Sequence, residues 1–119
     1  MNTKELRRGN LVQDIHGTIK YVEQIFEKGV QIYSVDNESD SSFYQEEEIF
    51  GIPLTEELVL MFGFNILSIS NKTHYGLGSL TLTEDFRLYL IDQEDEIKSV
   101  HQLQNLYFAL YQRELTYKP

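Results

Sequence analysis

The chain contains no cysteine and no tryptophan, only two prolines, and just 10 basic side chains against 19 acidic ones. Without cysteine there is no disulfide framework, no thiolate nucleophile and no cysteine-type zinc site. No apolar run approaches the ~20 residues that a helix needs to cross a bilayer, so no membrane association is expected. The N-terminal Met1-Asn2-Thr3-Lys4-Glu5-Leu6-Arg7-Arg8 has no apolar stretch behind its basic residues. It does not read as a secretory signal, and the cytoplasm is the expected compartment. The shortage of Lys and Arg leaves a formal net charge of −9. Direct binding to a nucleic acid backbone is therefore not expected, because that affinity comes from cations displacing counterions. Lys4, Arg7 and Arg8 make the one basic cluster, which is too small to line a groove.

What is present suits one α+β domain over residues 1–119, within the ~100–200 residues usual for a domain. Eight tyrosines and seven phenylalanines supply large apolar area per residue. The N-terminal half reads as short strands: Leu6–Val12, then a turn at Asp14–Gly17, then Ile19–Phe26 with a slip in its alternation at Val22. Glu27-Lys28-Gly29 signals a hairpin, and Val30–Val35 is the return strand. The apolar-free stretch Asp36–Ser42 reads as a mobile polar loop. Strands of about 5–7 residues sharing one core must curl, which predicts a bent antiparallel sheet, SH3-like in the N-terminal half.

The clearest local signal follows at Gly51-Ile52-Pro53-Leu54-Thr55-Glu56-Glu57-Leu58. Pro53 fixes an extended entry and Thr55 is a natural N-cap. Glu56 and Glu57 favour the positive end of the helix dipole, Leu54 can staple onto Val59, and Gly63 suits a left-handed stop. A short helix is expected over Thr55–Phe62. Ile66–Ser70, Leu80–Leu82 and Phe86–Ile91 read as further strands, with turns at Asn71–Thr73 and Thr83–Asp85 and a polar loop at Asp92–Lys98. The spacing of Val100, Leu103, Leu106, Tyr107, Leu110 and Tyr111 predicts a C-terminal helix to about Arg113, packed on the sheet. Phe108 and Leu115 fall outside that stripe, so this helix should touch protein on more than one side.

No pattern in the chain isolates a catalytic group. His16, His74 and His101 lie far apart, none with a partner at metal-ligand spacing. Gly76-Leu77-Gly78-Ser79 lacks both the following helix and the Lys-Ser/Thr pair of a phosphate loop, and reads as a flexible hairpin. No serine sits in Gly-x-Ser-x-Gly. With 19 acids some carboxylates must be neighbours, but none is marked as buried. Tyr21, Tyr33, Phe43 and Tyr44 could form a stacking platform for single strands, yet the cationic groove that accompanies one is missing. No cofactor and no metal is expected.

Three segments carry a resemblance: Glu5-Leu6-Arg7-Arg8-Gly9-Asn10-Leu11-Val12; Gly51–Leu58 with Phe62-Gly63-Phe64; and Val100-His101-Gln102-Leu103-Gln104-Asn105-Leu106-Tyr107-Phe108-Ala109-Leu110 with Glu114-Leu115. Together they resemble a family of small phage, prophage and mobile-element proteins. That family brings no catalytic residues. The resemblance implies a mobile-element setting, in which small acidic proteins are often inhibitors of host defence. It extends to an anti-CRISPR protein against a type VI RNA-guided ribonuclease. The expectation is a non-enzymatic binder of such a nuclease; a phage structural or accessory protein is the alternative, and a hydrolase using an acid pair is a third.

The acids suggest where a partner would touch. Glu56–Glu57 belong to a helix start and Glu84–Asp85 to a turn. Asp36, Glu38 and Asp40, then Glu46, Glu47 and Glu48, then Asp92, Glu94, Asp95 and Glu96 are left without a local task. Solvation accounts for such charge first. The functional alternative is a face complementary to a basic protein surface, reached by electrostatic steering. Phe43 and Tyr44, beside the first of these groups, complete the expected contact set.

Overall fold

The protein is described by a computed structural model covering residues 1–35, 37–89 and 97–117, with residues 37–39 described through their backbone. It is α+β, with two antiparallel sheets and one main helix near the C-terminus. A 3₁₀ turn at Thr3–Glu5 leads into β1 (Leu11–Gln13), β2 (Ile19–Ile25), β3 (Gly29–Ser34) and β4 (Asn37–Gln45), paired in sequence order. The slip at Val22 is a β-bulge, where the β2–β3 register shifts between Val22 and Gln24. A bulge increases local twist, which helps this sheet to curl.

After β4 a 3₁₀ turn at Glu46–Glu48 brings the chain back to β1. There Gln13 and Phe50 exchange both backbone hydrogen bonds, at 2.9 and 2.8 Å. The meander returns to its first strand through a 3₁₀ turn, but one bridge closes no barrel, so the SH3-like expectation holds only as far as a curled antiparallel sheet. The polar stretch expected as a mobile loop is strand from Asn37 onward; Asp36 lies outside the described residues. An edge strand can be held by backbone pairing to one neighbour and needs no apolar residue on its own account. Here Ser41 sits opposite Tyr33 and Ser42 opposite Ile32.

Strand alternation sends side chains of this sheet to two cores. Val12, Val22, Val30 and Ile32 face inward with Leu6 and Ile49. Leu11, with Ile19 and Tyr21 beside it, faces the larger core built with the second half of the chain.

That second half begins with α1 (Glu56–Met61). Thr55 caps it, its hydroxyl accepting from the Leu58 amide at 3.2 Å, and Gly63 follows at φ +94°. The second sheet is β5 (Asn65–Ile69), β6 (Lys72–Leu77) and β7 (Leu80–Leu82), again in sequence order. Ser70 and Asn71, at φ 53° and 65°, form the two-residue turn between β5 and β6. Strand β6 therefore starts at Lys72, inside the segment expected as a turn, and absorbs Gly76 and Leu77 from the expected flexible hairpin. Phe86–Tyr89, expected as strand, meets the second sheet through a bridge from Leu88 to Leu82 and a bond from the Tyr89 amide to the Thr81 carbonyl at 2.9 Å, and residues 90–91 lie outside the described residues. Phe86 stands at φ 63°, a conformation that breaks a strand, and its ring stacks on Tyr75 at 5.6 Å.

Helix α2 (Val100–Tyr111) stops where Gln112 turns left-handed at φ 59°, short of Arg113. Its buried face differs from the predicted stripe. Val100, His101, Leu103, Gln104 and Tyr107 are buried, Leu106 is half-buried and Leu110 is 51% exposed. Leu115 is buried beyond the helix end. Among the described residues no helix is long and apolar enough to cross a membrane.

Candidate functional site

The N-terminal segment and α2 meet in one polar joint. Arg7 donates from Nε to Asn105 Oδ1 at 2.8 Å and from Nη1 to Glu114 at 2.7 Å, and its guanidinium lies 4.3 Å from the Phe108 ring centre. Asn10 accepts from the Arg7 amide at 2.7 Å and donates to Asn105 at 2.9 Å. Gln104 accepts from the Leu11 amide at 2.8 Å and donates to the Gly9 carbonyl at 3.3 Å. Asn105 Nδ2 closes the network on the Glu5 carbonyl at 2.9 Å. Gln104 thus replaces strand pairing for a β1 residue, which explains why α2 buries a glutamine and leaves Leu110 outside.

His101 extends the joint. Its Nδ1 lies 3.1 Å from Ser99 Oγ and its Nε2 3.4 Å from a Glu5 carboxylate oxygen. Burial pushes its pKa below the ordinary histidine value, with the Glu5 contact acting in the opposite direction. The ring is then neutral near pH 7, and its two partners fit a proton on Nε2 with Nδ1 accepting from the serine. Asn10 and Gln104 are 0% and 2% exposed. A ligand has no access to them, and no buried side-chain nitrogen or oxygen among the described residues lacks a partner. The joint fastens the N-terminal segment to α2.

The expected contact residues are only partly brought together. Phe43 projects from β4 at 54% exposure and meets Phe26 edge-to-face, ring centres 5.7 Å apart. It lies over Gly29, where a Cβ would collide with the Phe43 ring and the Tyr44 carbonyl. Tyr44 does not join it: alternation turns this ring toward the Leu6–Val22 core, where it is half-buried. Asp40 is exposed and accepts from Ser34 Oγ at 3.0 Å. Glu48 does have a local task, accepting from the Gln45 amide at 2.9 Å as half of a capping box. Glu46 contributes its carbonyl to the N-terminal ammonium at 2.7 Å, while Glu47 is exposed. Glu38 lies in β4, described by its backbone alone. Asp36, Asp92, Glu94, Asp95 and Glu96 lie outside the described residues.

Two residues of this face escaped the sequence reading. Phe26, expected as the last residue of the second strand, lies just past β2 and stands 43% exposed at the β2–β3 hairpin. Its place beside Glu27-Lys28-Gly29 is the signal that was available. Glu23, the bulged residue, reaches Ser41 at 2.7 Å, and Ser41 accepts from Gln31 at 2.7 Å. The outward surface of β2, β3 and β4 thus holds an aromatic pair with Glu23 reached through Ser41, whereas Asp40 bonds Ser34, two residues along from the inward-facing Ile32.

A cleft of about 540 Å³ opens at the far end of the second sheet, lined in part by Ile69, Lys72, His74, Thr83, Asp85 and Tyr89. His74 is buried, its Nδ1 3.1 Å from the Lys72 carbonyl and its ring edge-to-face with Tyr89 at 5.0 Å. Hydrogen bonds from Thr83 and Arg87 hold the Asp85 carboxyl below the usual carboxylate range, the Arg87 contact being 2.9 Å. An exposed, ionised Asp85 is a poor general acid near neutral pH. No family model matches the chain, and no curated protein or solved structure matches it.

Proposed function

We propose that the chain is a non-enzymatic binding protein whose working surface is the outward face of β2–β4, centred on Phe26 and Phe43. Its partner is a protein with a basic surface. The observation that carries this reading is the exposed Phe26–Phe43 pair, with Glu23 on the same face through its contact with Ser41. Covering the exposed part of both rings is worth about 2–3 kcal/mol. The carboxylates add orientation and on-rate in place of raw affinity. A net charge of −9 supplies the long-range attraction toward a cationic groove.

The mobile-element resemblance narrows the partner to a host defence enzyme, an RNA-guided ribonuclease of type VI whose basic channel holds RNA. Carboxylates presented there stand in for phosphates, and the aromatic pair takes a place on an apolar wall. Surface-immobilised native chain tests this against the purified, guide-loaded ribonuclease at low and raised salt. Raised salt should slow association, and Phe43→Ser should speed dissociation about tenfold, the equivalent of 1.4 kcal/mol. Binding indifferent to both would refute the assignment of this face. Capture of virion or replication proteins in place of the nuclease would favour a structural or accessory phage role.

A further inference from the structure

The two sheets end differently at their open edges. Strand β4, the last of the first sheet, carries the exposed carboxylate of Asp40 within its span. A second copy laid along it would set carboxylate against carboxylate, the usual protection of an edge. Strand β5, the first of the second sheet, has no such protection. From Phe64 to Asn71 the chain has no charged residue and no proline, within a molecule of net charge −9. Every residue from Asn65 to Ser68 is exposed, Ile66 at 55% and Leu67 at 37%. Among the described residues β5 pairs with β6 alone.

The turn fixes which backbone groups point outward. A two-residue loop at Ser70–Asn71 makes Ile69–Lys72 the hydrogen-bonded pair that closes the hairpin. Alternation makes Leu67–His74 and Asn65–Gly76 hydrogen-bonded as well, which leaves the N–H and C=O of Ile66 and Ser68 aimed away from β6. Those two residues are complementary to themselves. An antiparallel copy related by a two-fold axis at Leu67 places Ile66 opposite Ser68 of the second chain, and Ser68 opposite its Ile66. The two pairs exchange about four backbone hydrogen bonds. Leu67 then meets its own counterpart in the closer, non-hydrogen-bonded position, apolar against apolar.

We propose that the β5 edge is a self-pairing site, through which two copies join their three-stranded sheets into one continuous sheet. The occupant is a second copy because the strand is neutral. A basic partner gains nothing from this stretch, whereas two anionic chains meet here with the fewest like charges opposed. The contact is short, below the area of a permanent interface, and the dimer is accordingly a weak one.

The absence of cysteine from the native chain allows a direct test. Sedimentation of the native chain at about 0.5 mM, where even a Kd of tens of micromolar leaves most chains paired, should give a mass near twice 14.0 kDa. Ile66→Lys should return the 14.0 kDa species under the same conditions. Leu67→Cys should form an intermolecular disulfide at least about tenfold faster than Ile15→Cys, because pairing raises the local thiol concentration; Ile15 is the more exposed position, at 76%. A native chain that sediments at 14.0 kDa, or a Leu67→Cys chain that crosslinks no faster than Ile15→Cys, overturns the proposal. The crosslinking comparison decides the matter even where Ile66→Lys does not fold.

Discussion

Gln104→Leu is the substitution that separates a fastening from a packing stripe. Leucine keeps the volume of the side chain and would extend the apolar face of α2, so a helix held by hydrophobic contact should tolerate or welcome it. The geometry gives the opposite sign. Gln104 Oε1 is the acceptor for the Leu11 amide at 2.8 Å, and Leu11 is 0% exposed, so no water can replace the lost partner. A buried donor left unsatisfied costs about 1–3 kcal/mol, and loss of the bond to the half-exposed Gly9 carbonyl adds roughly 0.5–1 kcal/mol. Together these give a destabilisation of about 1.5–4 kcal/mol, a large share of the 5–15 kcal/mol typical of a domain. In a thermal melt followed by circular dichroism this is a fall of roughly 6–20 °C. A variant that melts within about 2 °C of the native chain would refute the claim that this side chain substitutes for strand pairing at β1.

Two further perturbations read the same region. Leu103→Ala, at a fully buried position, should cost about 2–5 kcal/mol in urea unfolding. Leu110→Ala, half exposed, should stay within about 1 kcal/mol, and the reverse order would mean that the buried face of α2 has been misassigned. His101 makes stability depend on pH with a definite sign. Its folded pKa lies below the ordinary value of about 6.5, so the unfolded chain takes up the proton first as pH falls. The stability tied to its neutral form is complete above about pH 6.5 and is lost as pH falls toward the folded pKa. Chemical unfolding of the native chain and of His101→Gln should therefore diverge with falling pH, the native chain losing more; parallel slopes would contradict this.

The sequence was most readable where structure is local. Pro53, Thr55, the paired glutamates and Gly63 mark the start and stop of α1, and each signal lies within a turn or two of what it controls. Strand β6 was hidden because Lys-Thr-His-Tyr-Gly-Leu offers no clean alternation. Its Gly76 is instead the place where Leu67 of the neighbouring strand comes so close that a Cβ would lie 2.6 Å from its methyl carbon. Such fits between strands leave no periodic trace. The α2 stripe was legible in its period but not in its phase, since Gln104 looks polar until its partners 93 and 95 residues away are known. Of the candidate face, Phe43 was legible. The face was not legible in Tyr44, which alternation turns inward, nor in Phe26 and Glu23, which the hairpin and bulge of β2 turn outward.

On the function proposed above, the exposed Phe26–Phe43 pair occupies the basic channel of an RNA-guided ribonuclease. The most direct measurement is cleavage of a labelled RNA by the guide-loaded type VI enzyme, titrated with native chain and with Phe43→Ser of unchanged melting temperature. The account predicts that native chain abolishes cleavage near stoichiometric addition, and that the variant requires about tenfold more for the same effect, as the loss of one ring contact implies. Cleavage that continues undiminished in a large excess of folded native chain would contradict it.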